Sequence, residues 1–112
     1  MASKKPVKSK VTVPTEVAAW AKKKYATLRA YAGGAEETVA MVKLLVDDRR
    51  AEAVDLGERS RTDILRAKMA RENGHALAAD QLETHARFLD SRAEELLSEA
   101  KALEDAHAQS TA

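Results

Sequence analysis

Apolar and polar positions alternate with a helical period over most of the chain, most regularly between residues 75 and 107. There leucine recurs every seven residues, and a second series of alanines lies three or four positions away. Such a seam predicts a helix that packs lengthwise against another helix, and we interpret it as an oligomerisation seam. It comprises Ala79, Leu82, Ala86, Leu89, Ala93, Leu96, Ala100 and Leu103.

Shorter helices are predicted before this seam. The first begins at Pro14 and ends at the Gly-Gly pair 33–34, and the second, from residue 35, is expected to stop at Gly57. A third starts near Ser60 or Thr62. The Asn-Gly pair 73–74 is expected to separate it from the seam helix, because both residue types are poor in helix interiors; the alternative is one long helix with a weak point there. The fold class is therefore mainly α: a helical bundle with a long C-terminal helix.

The apolar stripes of these helices predict their buried faces. The expected stripe of the first helix is Val17, Trp20, Ala21, Leu28 and Tyr31; that of the second is Val39, Val42, Leu45, Val46 and Ala53; that of the third is Ile64, Leu65 and Met69. Because Trp20 lies on the apolar stripe of the first helix, packing in the core is favoured over a role in stacking against bases.

One segment has the period of a β-strand. From Val7 to Val13, Lys8, Lys10 and Thr12 share one face, and valines and a serine share the other. A lone strand cannot satisfy its own backbone hydrogen bonds, so a strand here would pair with another chain. The alternative is an extended tail.

Composition narrows the functional classes. The 112 residues include one Trp, two Tyr, one Phe and no Cys, which indicates a small helical protein without disulfide or thiolate chemistry. No apolar run is long enough for a membrane span and no signal peptide is recognisable, so we expect a cytoplasmic protein.

Basic and acidic residues are unevenly distributed between the N-terminal part of the chain and the remainder. Residues 1–31 hold eight Lys or Arg and one Glu, whereas the remainder holds eleven basic and seventeen acidic residues. A basic head on an acidic helical body suggests binding of a polyanion or pairing between chains. The predicted organisation is a disordered basic leader at 1–6, a basic head at 7–57, a helical hairpin or coiled-coil oligomerisation region at 58–108, and a frayed tail at 109–112.

The basic head is the leading functional feature. Its lysines can neutralise phosphates, which gives binding that weakens steeply with salt; the alternative is a solubilising tail and a solvated helix face. The predicted nucleic-acid-binding residues are Lys4, Lys5, Lys8, Lys10, Thr12, Lys22, Lys23 and Lys24.

Residues 7–46 resemble a ribbon–helix–helix DNA-binding domain, as found in phage and plasmid repressors and transfer accessory proteins. The resemblance rests on the Lys-Ser-Lys-Val-Thr-Val ribbon at 8–13, the Pro-Thr-Glu-Val helix entrance at 14–17, the Gly-Gly turn and the second helix at 39–46. It implies that two ribbons pair and place Lys8, Lys10 and Thr12 against base edges in the major groove. Glu36 and Glu37 depart from the family, which anchors a phosphate at that helix start.

Metal and catalytic sites are not predicted. Glu72 with His75, and Glu104 with His107, have the Glu-x-x-His spacing of di-iron bundles, but in a Glu-rich chain two matches are expected by chance. No nucleophile or phosphate-loop motif accompanies the histidines. We therefore expect no cofactor, no metal and no enzymatic activity.

The sequence predicts a small, oligomeric nucleic-acid-binding protein with a basic N-terminal head and an acidic helical assembly region. Its expected partners are further copies of the chain and duplex DNA. The alternative is a helical adaptor or structural subunit, such as a phage or mobile-element assembly protein, which binds only a helical protein partner through the seam.

Overall fold

The protein consists of three α-helices in a computed structural model that describes residues 11–111. The helices are α1 (Thr15–Ala32), α2 (Ala35–Glu72) and α3 (Ala76–Thr111). The described residues contain no strand, which confirms a mainly α fold. Residues 11–14 precede α1 without regular structure, and residues 7–10 of the predicted strand lie outside the described part. Among the described residues, no helix combines the length and apolar character that crossing a membrane requires.

The turn between α1 and α2 forms at the predicted Gly-Gly pair. Gly33 ends α1 with φ of 84°, in the left-handed region that glycine adopts without steric cost. The carbonyl of Gly34 then accepts hydrogen bonds from both the backbone N–H and the hydroxyl of Thr38, at 3.0 and 2.8 Å. With only two residues between the helices, α1 folds back beside the first turns of α2.

The predicted stop at Gly57 is wrong, because α2 continues through it to Glu72. A single glycine inside a helix costs about 1 kcal/mol relative to alanine. The neighbouring Ala53 and Leu56 are buried and offset that cost. Ser60, expected near the start of a third helix, is instead buried mid-helix, where its hydroxyl donates to the carbonyl of Ala86 at 3.2 Å. Three helices therefore replace the four that were predicted.

The predicted break at the Asn-Gly pair 73–74 is confirmed. The N–H of His75 donates to the carbonyl of Ala70 at 2.8 Å, and that of Gly74 donates to Arg71 at 3.1 Å. These are the two bonds of a Schellman motif, in which Gly74 has φ of 81°. The side chain of Asn73 also donates to the carbonyl of Met69, so the last carbonyls of α2 have partners.

The chain divides into two compact units. The described part of the first, here called the head bundle, comprises residues 11–50 and 96–111. Its core is formed by α1, the start of α2 and the end of α3, and includes Tyr25, Val42, Val46 and Leu103. The hydroxyl of Ser98 donates to the carbonyl of Thr12 at 2.6 Å, near the start of α1. Val13 packs against the core, so the chain is held in place before α1 begins.

The second unit, Ala51–Glu95, is a two-helix hairpin that we call the hairpin unit. Its α2 helix has a buried face whose residues are spaced three or four positions apart. They are Ala53, Leu56, Ser60, Asp63 and Ala67. Two of them are polar and have partners on α3: Ser60 bonds to the Ala86 carbonyl, and Asp63 Oδ2 lies 2.5 Å from His85 Nδ1. Polar groups that are buried and satisfied in this way fix the register of the two helices.

The predicted α3 seam is buried inside a single chain. Leu82 and Ala93 are half-buried, and the other six seam residues are buried. Several other apolar predictions are wrong. Tyr31 is 85% exposed, and Val39, Ile64, Leu65 and Met69 also face solvent, because each lies off the face that contacts a neighbouring helix. Tyr25, which was not part of the predicted stripe, is buried on α1.

We predict that Leu103→Ala lowers the free energy of unfolding by about 2–5 kcal/mol, because Leu103 is fully buried and its loss leaves a cavity. The matched control is Leu44→Ala, at a leucine that is 62% exposed on α2 of the same unit. It should change stability by less than about 0.5 kcal/mol. Urea denaturation followed by circular dichroism measures both. Equal effects of the two substitutions would contradict the burial pattern.

We predict that Gly57→Ala stabilises the protein by roughly 0.5–1 kcal/mol. A Cβ built on Gly57 meets only the Arg61 guanidinium at 3.8 Å, an ordinary contact. The control is Gly74→Ala, which places a side chain at φ of 81° and should destabilise the chain. Thermal unfolding of both variants is the measurement. A loss of stability in Gly57→Ala would show that the helix does not run straight through this position.

Candidate nucleic-acid interface

The residues predicted to bind nucleic acid fall into two groups. Lys4, Lys5, Lys8 and Lys10 lie outside the described residues. Thr12 is described and exposed. Its backbone carbonyl bonds to Ser98, which fixes the point where the basic leader meets the head bundle.

The three lysines of α1 do not form one patch. Successive helical residues are separated by about 100° around the axis, so Lys22, Lys23 and Lys24 point in three directions. Lys22 and Lys23 are exposed, whereas Lys24 is half-buried. A run of like charges in the sequence is thus divided among different faces of the helix.

Arg29 was not among the predicted site residues, but it shares a face with Lys22. The two are seven positions apart on α1, which is two helical turns and about 10 Å. Both line a shallow groove where α1 lies beside the end of α3. The heptad spacing of Lys22 and Arg29 was the signal in the sequence that could have identified this pair.

Uncharged side chains form the rest of the groove. Its floor and walls are formed by Tyr25, Ala26 and Ala30 from α1 and by Ala106, Gln109 and Ser110 from α3. The guanidinium of Arg29 spans the two helices and donates to the Ser110 hydroxyl at 3.2 Å. None of the eight lining residues is acidic. The groove therefore carries two cations over a neutral surface.

The carboxylates on this part of α3 bind cations elsewhere. Glu104 accepts two hydrogen bonds from Arg50 of α2, at 2.7 and 2.9 Å. This hydrogen bond raises the pKa of Arg50 above its ordinary value, although partial burial acts in the opposite direction. Asp105 pairs with Lys101 one turn earlier at 3.4 Å. The negative charge of the α3 end is thereby partly neutralised within the head bundle.

Trp20 packs against the core of the head bundle, as predicted. The Arg49 guanidinium lies 5.4 Å from the centre of its ring, and Arg49 also donates to Glu99 at 2.8 Å. The ring is half-buried and covered by a cation. Trp20 is therefore a packing residue and not an open platform for stacking bases.

The two Glu-x-x-His pairs are used differently in the fold. Glu72 is the last residue of α2 and His75 lies in the following turn, both exposed. Glu104 binds Arg50, whereas the Nδ1 atom of His107 lies 3.2 Å from the Tyr25 hydroxyl. Across residues 11–111, no group of three or more His, Asp or Glu side chains is arranged to hold a metal ion.

A search for similar proteins matches no family model, no curated protein and no solved structure to this chain. The resemblance to ribbon–helix–helix domains therefore stays a prediction from the residues quoted above.

We predict that Tyr25→Phe destabilises the protein by about 0.5–1.5 kcal/mol, because it removes the hydroxyl that contacts His107 while keeping the buried ring. Tyr31→Phe is the control, since this ring is exposed at the end of α1 and should tolerate the change within about 0.5 kcal/mol. Chemical denaturation compares the two. A neutral Tyr25→Phe would show that the contact does not contribute to stability.

Proposed function

We propose that this chain is a non-enzymatic nucleic-acid-binding protein whose head bundle contacts the phosphate backbone. The observation that carries the proposal is the acid-free groove between α1 and α3, which Lys22 and Arg29 line. Phosphates attract such a surface without base specificity. The four lysines of residues 1–10 precede this bundle in the sequence and add to the positive charge.

In this proposal the leader and the groove have different roles. Lys8, Lys10 and Thr12 are the residues that the ribbon–helix–helix resemblance would place at bases. Lys22 and Arg29 contact the backbone, as cations on a rigid helix. Lys23 is exposed on a different face of α1 and adds to the positive charge of the head bundle. Duplex DNA is the proposed partner.

Homo-oligomerisation remains part of the proposal, but with a different surface. The leucine seam is buried within one chain, so it is not free to join two chains in this fold. The hairpin unit instead exposes apolar side chains on α2, among them Leu65 and Met69, which are one helical turn apart. We propose this apolar patch as the protein-binding surface.

The same patch favours a second candidate function, a helical adaptor that binds only a protein partner. On α3 of the hairpin unit, Leu77 and Phe88 are also exposed. In this second function the basic leader would dock on an acidic protein surface. The chain would then show no affinity for nucleic acid even at low salt.

We predict that the full chain binds a labelled non-specific duplex at about 50 mM salt and loses most of this affinity at 200 mM. The doubly substituted Lys22→Gln/Arg29→Gln chain should bind more weakly, and the slope of log K against log salt should fall by about 2. Fluorescence anisotropy is the measurement. The control, Arg66→Gln/Lys68→Gln, removes the same charge from exposed positions of the hairpin unit.

Deleting residues 1–10 tests the leader while keeping Val13 on the core. The proposal predicts a further loss of affinity and a smaller salt slope. If the control pair weakens binding as much as the Lys22 and Arg29 pair, binding is a response to net charge alone and the groove has no special role. Absence of binding at 50 mM salt would overturn the proposal and favour the adaptor.

A further inference from the structure

A cavity in the head bundle has no role in the function proposed above. It has a volume of about 500 Å³ and lies where the end of α1, the start of α2 and the end of α3 meet. Volumes of this size are typical of small-molecule sites. The cavity adjoins the basic groove, because Tyr25, Arg29 and Ser110 line both.

Two residues of the cavity lining, Arg29 and Ser110, have hydrogen-bond donors to spare, whereas the Thr111 hydroxyl donates to the His107 carbonyl. Arg29 has five N–H groups, and its hydrogen bond within the described residues goes to the neutral hydroxyl of Ser110. Since Ser110 accepts that bond, its own proton stays available. Thr38, by contrast, already donates to the Gly34 carbonyl.

Tyr25 and His107 form a second polar pair on the wall. The Tyr25 hydroxyl lies 3.2 Å from Nδ1 of His107, and the two rings are 5.5 Å apart. When the hydroxyl donates to Nδ1 of the neutral imidazole, the ring proton resides on Nε2, which is then a donor. In that tautomer the histidine of the cavity lining has an N–H donor that the tyrosine does not use.

The charge of the lining is positive. Arg29 is its one permanently charged residue, and no acidic residue lines the cavity. Glu37, in the first turn of α2, carries a negative charge beside Gly34, which lines the cavity. Its carboxylate folds back over Gly34, because a Cβ built on that glycine would lie 2.7 Å from Glu37 Oε1. Glu37 therefore competes with any anion that enters.

We propose that this cavity binds a phosphate-class anion, with Arg29 as its charge partner and His107 and Ser110 as further donors. The anion is either free phosphate or the terminal phosphate of a nucleic-acid strand in the groove, and the second source rests on the function proposed above. The volume accommodates a phosphate together with the sugar that carries it. Guanidinium groups bind phosphate through two parallel N–H bonds.

Isothermal titration calorimetry of the full chain with inorganic phosphate, in a phosphate-free buffer, tests the site. Binding should weaken about tenfold or more in Arg29→Gln, because a charge-assisted hydrogen bond is lost. It should tighten in Glu37→Gln and stay unchanged in Arg66→Gln, an exposed position on the hairpin unit. Circular dichroism confirms that each variant is folded. No heat of binding at millimolar phosphate, or equal affinity in Arg29→Gln, overturns the cavity as an anion site.

A second measurement distinguishes the two sources. Anisotropy compares one single-stranded oligonucleotide with and without a 5′-phosphate, on the wild-type chain and on Lys22→Gln. A strand-end site predicts tighter binding of the phosphorylated strand, a preference that Arg29→Gln removes and Lys22→Gln keeps. Phosphate binding without oligonucleotide binding overturns the proposed function and leaves the cavity site intact. Oligonucleotide binding that is indifferent to the 5′-phosphate overturns the strand-end source.

Discussion

Along α3, alanine and leucine alternate on the face that packs against α2, and the other parts of the fold depend on this contact. Alanine lets two helices approach closely, while leucine fills the space on either side. In the head bundle the paired helices then present the surface on which α1 lies, through Ala21, Tyr25 and Leu28. Without the pair, α1 has no apolar surface to cover, and the groove above it would not exist.

The α3 seam could be predicted from the sequence because its members are uniformly apolar. The matching face of α2 was predicted as far as Ala53 and missed beyond it, because Ser60 and Asp63 stand at positions where an apolar residue is expected. Each has a partner on α3, the Ala86 carbonyl for Ser60 and His85 for Asp63. Such compensation depends on residues distant in the sequence, and a local pattern cannot reveal it.

The nucleic-acid site was predicted as a set of lysines with Thr12, and the structure adds Arg29 as a further candidate beside Lys22. The number of charges in a segment can be counted in the sequence, but their distribution over the faces of a helix is less obvious. The three consecutive lysines at 22–24 therefore suggested a single positive patch, whereas they lie on different faces of α1. The seven-residue spacing of Lys22 and Arg29 was visible in the sequence, but the position of α3 beside Arg29 depends on the tertiary fold. The turns were predictable, since glycine at 33 and at 74 has the positive φ that a helix end requires.

The tight turn that follows Glu72 also bears on how the chain folds. The contacts between α2 and α3 differ in the sequence separation of their partners. Arg71 and Asp80 are 9 residues apart, Asp63 and His85 are 22 apart, and Arg50 and Glu104 are 54 apart. Because the entropic cost of closing a loop rises with its length, pairs nearest the turn form most readily, and each shortens the loop that the next must close. The contact between Tyr25 and His107 bridges 82 residues. We therefore expect pairing of α2 with α3 to begin at the turn and spread away from it, so that the basic groove, which needs α1 beside the end of α3, is completed late in folding.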